Sequence, residues 1–205
     1  MTEEAGGARR RIGIFGGTFD PFHCGHLVAA QDALEELGLE RVWFIPAGDP
    51  PHKGREDTSD SSVRLEMTRE GTWDDARFEV LDLEVGRPGP SYTVDTLRAL
   101  RKSQPEGDFF LLLGADQWRT FGSWRDPREI ARLATLAVMT REGEQPGKSM
   151  RGHEPLLPAD FRQVAVTRFD VSSTQLRERV RSGRSIRYLV PDRVRRIIEA
   201  AGLYI

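Results

Sequence analysis

Ile12-Gly13-Ile14-Phe15-Gly16-Gly17-Thr18-Phe19-Asp20-Pro21-Phe22-His23-Cys24-Gly25-His26 is the stretch from which the fold can be read. A short apolar β-type run breaks into two glycines, and two histidines three residues apart follow. Leu27, Ala30, Leu34 and Leu37 then recur at helical spacing, and Gly38 supplies a left-handed stop. A strand, a glycine turn and a helix start in this order direct unpaired backbone N–H groups and two imidazoles at one spot. Such a spot suits a phosphate. Gly16 and Gly17 are expected to let the backbone approach a ligand closely, in φ values that other residues resist. Asp20-Pro21 is a turn signal. His23 and His26, at i and i+3, share one face of the helix start, which His26 is expected to open with its ring towards solvent. Imidazole donates a hydrogen bond in either protonation state and gains charge near neutral pH, which fits a phosphate whose charge shifts during reaction. A pair of surface histidines or a metal pair are the competing readings. His52 and His153 are the other histidines and Cys24 is the lone cysteine, so a closed zinc site lacks ligands and no protein metal site is expected.

Outward from this stretch, apolar runs alternate with helical stripes. Val42-Trp43-Phe44-Ile45, Phe109-Phe110-Leu111-Leu112-Leu113, Leu136-Ala137-Val138-Met139 and Val164-Ala165-Val166 read as strands, and 78–85 as a weaker one. Helices are expected over 62–69, over 92–102 with Ser91 as N-cap, from Asp126-Pro127 to Leu133, and over 174–181. Pro191 suits a first helical position, ahead of the stripe Val194, Ile197, Ile198 and Ala201, and Gly202 ends that helix. Residues 142–159 form a Gly/Pro-rich loop whose length suggests a surface flap. The pattern predicts an α/β fold, a doubly wound parallel sheet with helices on both faces and a C-terminal helical segment. In such sheets ligands bind at the carboxyl ends of the strands, where these motifs fall.

The 205 residues fit one domain, residues 11–205, behind a disordered lead-in of residues 1–10. Thirty basic residues against 32 acidic ones leave a net charge of −2, so no basic footprint argues for nucleic acid. A single cysteine rules out an intramolecular disulfide framework and agrees with a cytoplasmic location. No apolar run approaches the ~18 residues of a membrane span, and the N-terminal residues carry no signal pattern. Ser172-Ser173-Thr174 precedes a helix and offers hydroxyls and free N–H groups, either as ordinary capping or as an anion site. Arg177 lies one turn further on and reaches over the same helix end.

Gly16 to His26 resembles the GGTFDPxHxGH signature of the nucleotidyltransferase α/β-phosphodiesterase superfamily. Val171-Ser172-Ser173-Thr174-Gln175-Leu176-Arg177, near the other end, resembles its ISSTxIR motif. Between them lie Pro50-Pro51-His52-Lys53, the segment from Gly89 to Leu97, Leu113-Gly114-Ala115-Asp116, and Phe121 with Trp124. The set is similar to the bacterial nicotinate-nucleotide adenylyltransferases, over nearly the whole chain from Arg11 to Tyr204. The resemblance implies a Rossmann-like strand order, with ATP and nicotinate mononucleotide as substrates and Mg²⁺ accompanying ATP. It implies that His23, His26 and Arg177 act in catalysis, and that Gly16, Gly17, Thr18, Phe19, Gly114, Asp116, Arg141, Ser172, Ser173 and Thr174 bind ATP. Asp116 alternatively serves its helix dipole, and Arg141 the surface. Lys53, otherwise a solvated lysine, is implied as a phosphate contact, Thr93 as a reader of the pyridine carboxylate and Trp124 as the pyridine platform. A helix start at Thr93 favours the acid over the amide. Rival readings are a phosphopantetheine or nicotinamide mononucleotide adenylyltransferase, and a catalytically silent nucleotide-binding module. A homo-oligomer is compatible with the sequence.

Overall fold

A computed structural model describes residues 10–50, 58–141, 150–151, 154–155 and 161–205. The lead-in at 1–9, Lys53 and most of the 142–159 loop lie outside the described residues. Six strands form one parallel sheet: β1 (Arg11–Gly17), β2 (Arg41–Pro46), β3 (Phe78–Val80), β4 (Asp108–Gly114), β5 (Thr135–Arg141) and β8 (Arg162–Val166). Their order is β3-β2-β1-β4-β5-β8, which reverses direction between β1 and β4. Two short strands, β6 (Met150–Arg151) and β7 (Glu154–Pro155), pair antiparallel inside the segment expected to be loop.

Side-chain alternation along each strand divides the core in two. Ile12, Ile14, Trp43, Ile45, Leu111 and Leu113 face α3 (Thr93–Ser103), α4 (Ala115–Thr120) and α5 (Pro127–Leu133). Phe15, Val42, Phe44, Leu112, Ala137 and Val164 face α1 (Cys24–Leu37), α2 (Ser61–Thr72), α6 (Ser173–Arg181) and α7 (Asp192–Ala200). With both faces covered, the strands read as continuous apolar runs. Each fully buried Leu, Ile or Phe contributes about 1.5–3 kcal/mol by burial.

The register places the site. β1 pairs with β2 as far as Gly17↔Pro46, but with β4 only as far as Ile14↔Leu111. Beyond that point β4 stays with β5, up to Gly114↔Met139. The sheet therefore splays at its switch point, and the carboxyl ends of β1 and β4 enclose a crevice.

Several local expectations are corrected. The strand expected over 78–85 stops at Val80, and the chain then turns: Gly86 donates to the Asp82 carbonyl at 3.2 Å and Arg87 to that of Glu84 at 3.2 Å. Ser91 does not cap α3. Tyr92 is the N-cap, and the Ser91 hydroxyl accepts from the Gly48 and Asp49 N–H groups at 2.9 and 3.2 Å. Pro191 sits one residue earlier than expected, as the N-cap of α7. Among the described residues no helix is long and apolar enough to cross a membrane.

Candidate active site

Two cavities meet at the splay. The first, about 760 Å³, lies on the α3 side and is walled by Tyr92, Thr93, Glu84, Trp124 and Arg125. The second, about 600 Å³, lies on the α1 side and is walled by Phe19, His26, Asp116, Arg141 and Ser173. Gly16, Gly17, Thr18 and Gln117 line both. Ligands seated in these cavities would share the Gly16–Thr18 backbone strip as a common wall.

The two glycines serve this strip differently from the expectation. Neither has a positive φ. A Cβ on Gly17 would stand 2.7 Å from the Phe19 ring, so any larger residue there would force that buried ring to move. A Cβ on Gly16 would meet nothing within 4 Å, so its missing side chain leaves open space along the strip. The left-handed residue of the turn is Phe19, at φ 52°.

His23 is the N-cap of α1 and its N–H donates to Nδ1 of His26 at 3.1 Å. That bond assigns the proton of a neutral His26 ring to Nε2. The two rings stack with centroids 3.6 Å apart. His23 is 6% exposed, and its Nδ1 is buried without a hydrogen-bond partner. Burial lowers its pKa to about 4. His26 is held well below the usual histidine range, by burial first and by His23 second. Both rings are therefore neutral at pH 7, which corrects the expectation of charge gained near neutrality. His26 does not open freely to solvent either: its ring packs against Phe15, Phe19 and Phe22 with centroids 4.9–6.1 Å away, leaving one edge on the second cavity.

The second signature supports the first. The Ser172 hydroxyl accepts from the Gln175 N–H at 3.2 Å and caps α6. Ser173 Oγ donates to the Pro21 carbonyl at 3.0 Å and lines the second cavity. Thr174 is exposed and lines neither cavity. Arg177 donates to the Asp20 carbonyl at 2.8 Å, so the chain's two motifs are in direct contact. Gly114 is the N-cap of α4, Asp116 is exposed and paired with Arg119, and Arg141 pairs with Asp170 at 3.3 Å on the cavity rim. On the other side Thr93 opens α3, and Trp124 packs on Phe121 with ring centroids 5.3 Å apart. Trp118 and Trp43 are core residues, 3% and 5% exposed.

Some residues around the crevice escaped sequence reasoning. Arg64 is 1% exposed and donates to the carbonyls of Ser59, Thr18 and Gly48 at 2.9, 2.8 and 3.0 Å. Its signal was a cation between Val63, Leu65 and Met67 on a helix. Glu84 is 7% exposed and accepts from Thr96 Oγ1 at 2.6 Å, and burial raises its pKa. Arg125 lies over the Tyr92 ring at 4.7 Å. Nothing in the local sequence marks Glu84 or Arg125.

A switch-point crevice with a glycine strip, neutral histidines and a buried arginine behind the turn defines a nucleotide-handling α/β protein. The cytidylyltransferase-like family model matches residues 14–179, and the chain belongs to that family of nucleotidyltransferases. Within it, the chain belongs with the nicotinate-nucleotide adenylyltransferases. A Desulfitobacterium hafniense protein named probable nicotinate-nucleotide adenylyltransferase is 44% identical over 200 residues, 95% of this chain and 96% of that one. A Thermus thermophilus protein of the same name is 43% identical over 194 residues, 95% and 99% of the two chains. The solved Plasmodium falciparum nicotinic acid mononucleotide adenylyltransferase complexed with NaAD is 18% identical. It superposes with a TM-score of 0.74 over 96% of this chain and 98% of that one, and so shares the fold.

Proposed function

We propose that this protein transfers the adenylyl group of ATP to nicotinate mononucleotide, giving nicotinate adenine dinucleotide and pyrophosphate. The observation that carries the reading is the pair of cavities joined along Gly16–Thr18, one walled by an indole and a helix start, the other by an imidazole edge and the second signature. In this reading the mononucleotide occupies the first cavity, with its pyridine ring on Trp124 and its carboxylate at the start of α3 by Thr93. ATP occupies the second, between Phe19, His26, Asp116 and the start of α6.

The mononucleotide phosphate is the nucleophile. One of its oxygens bonds to the α-phosphorus, the bond from that phosphorus to the bridging oxygen breaks, and pyrophosphate leaves with the electron pair. No protein nucleophile takes part, so the protein supplies positioning and charge compensation. In this reading neutral His26 donates from Nε2–H, the His23 N–H holds that ring in its tautomer, the α6 N-terminus at Ser173 faces the triphosphate, and Arg177, which lines neither cavity, holds the turn through the Asp20 carbonyl. Among the described residues no group of three or more His, Cys, Asp and Glu is placed to hold a metal ion, and Asp20 accepts from Tyr204 and Ser59. In this reading Mg²⁺ arrives on the triphosphate as part of the substrate, where it would offset phosphate charge.

Pyrophosphate release from Mg-ATP with nicotinate mononucleotide, nicotinamide mononucleotide and phosphopantetheine as acceptors tests the reading. The expected kcat/KM for the acid exceeds that for the amide by about tenfold to a hundredfold, because an amide N–H₂ would face the donors at the α3 start. Faster release with phosphopantetheine, or a ratio near one, would overturn the substrate assignment.

A further inference from the structure

The signature turn is held from behind, and the last turn of the chain takes part. The carbonyls of Thr18, Asp20 and Pro21 accept from Arg64, Arg177 and Ser173 at 2.8, 2.8 and 3.0 Å. The three donors come from α2 and α6. A peptide group is planar, with its N–H opposite its C=O, so fixing the Thr18 carbonyl also fixes the direction of the following N–H. The turn's own carboxylate does not face the cavities. Asp20 is 1% exposed, and its two oxygens accept from the Tyr204 hydroxyl at 2.5 Å and the Ser59 N–H at 3.2 Å. Tyr204 lies 184 residues away in sequence, is half-buried, and adopts a left-handed backbone at φ 65°. Left-handed backbone is uncommon for a residue with a bulky side chain, so the surrounding contacts hold it there.

We infer that Tyr204 is a positioning residue for the adenylyl-transfer site, acting through Asp20 on the turn that lines the ATP cavity. The inference rests on the assignment of ATP to the second cavity. Asp20 lies among cations: burial lowers the pKa of Arg64 and the Asp20 charge opposes that shift, while burial and then Asp20 raise the pKa of the Tyr204 hydroxyl against a smaller opposing pull from Arg177. By satisfying one carboxylate oxygen with a neutral donor, Tyr204 leaves both arginines on backbone carbonyls. Without it, the bare oxygen of a buried carboxylate draws in the nearest cation. An arginine that turns to the carboxylate releases the Thr18 or Asp20 carbonyl, and the turn loses its fixed geometry. The effect is directional. Of the residues from Thr18 to His26, the second cavity takes Thr18, Phe19, Gly25 and His26, and the first takes Thr18 alone. Loosening the turn therefore falls on ATP, whereas the wall of Tyr92, Thr93 and Trp124 stands on other elements.

Tyr204→Phe in the full chain removes one oxygen and keeps the ring. The expected result is a KM for ATP raised about tenfold, with the KM for nicotinate mononucleotide within about twofold of wild type. Calorimetric binding of an ATP analogue with a non-cleavable α,β-linkage should weaken by the same factor, a readout independent of which acceptor is used. Wild-type protein that binds the analogue but fails to turn over nicotinate mononucleotide would sink the proposed function and leave the binding comparison valid. A lowered melting temperature with unchanged analogue affinity, or equal rises in both KM values, would mean that Tyr204 only holds the fold, and the inference fails. Should Tyr204→Phe not fold, Asp20→Asn carries the same test, because it sets an amide against one of the two donors and keeps the side-chain shape.

Discussion

Acidification should destabilise the fold through His23. Its ring is 6% exposed with Nδ1 unpartnered, and burial lowers its pKa from 6.5 to about 4. A histidine held below its unfolded value binds its proton less readily in the folded chain. Its contribution to stability is therefore whole above pH 6.5 and is lost progressively as pH falls towards 4. At about 1.4 kcal/mol per pH unit across that window, the loss is about 3 kcal/mol, a large share of a typical folding free energy. His26 acts in the same direction, by burial and then by its neighbour's charge, and the stacked rings titrate as a pair. Glu84 works the opposite way. Burial raises its pKa, so protonation in the same window favours the folded form. Urea denaturation of wild type and His23→Gln at about pH 7 and about pH 4.5 separates the histidine pair from Glu84, because the substitution removes the His23 ring and its coupling to His26 and leaves Glu84 in place. Wild type should lose about 2–3 kcal/mol more than the variant over this interval. Equal losses would refute the reasoning, since the ring would then be protonated without cost.

Two further outcomes follow from the site. His26→Ala should slow pyrophosphate release by about 10²–10³-fold and also cost about 1–3 kcal/mol of stability, because the ring fills an aromatic cluster and accepts the His23 N–H. Near-normal turnover in a folded variant would remove His26 from the chemistry. Trp124→Ala should raise the KM for nicotinate mononucleotide by an amount equivalent to about 1–2 kcal/mol while leaving that for ATP unchanged. Equal effects would return Trp124 to a structural role.

The sheet was legible because buried parallel strands announce themselves as unbroken apolar runs, and β1, β2, β4 and β5 each lie where such a run falls. Capping was less so. Ser91 has the right chemistry for an N-cap, but its hydroxyl is used by N–H groups 43 and 42 residues away, a claim that no local window contains. The site divides in the same way. The glycine-histidine turn stood out by composition, and the structure puts it on both cavities. The charge state of its histidines did not, because it depends on burial by Phe15, Phe19 and Phe22, and one of these comes from a different element. The roles of Arg64 and Tyr204 were hidden for a related reason, although the setting of Arg64 among apolar helix residues was a signal. Each is recognised by backbone carbonyls or by a carboxylate that only the folded chain brings near.

Gly16 and Gly17 are neighbours of identical chemistry, yet they answer to different demands. At Gly17 the Phe19 ring occupies the place of a side chain, so a substitution there is penalised before any ligand arrives. At Gly16 that place is vacant. A methyl group would fit without strain in the free protein and project into the space between the two cavities. The two positions thus separate two costs within one dipeptide: packing of the free chain at residue 17, and room beside the cavities at residue 16. Gly16→Ala should therefore keep the melting temperature of the free protein and act, if at all, on ligand binding.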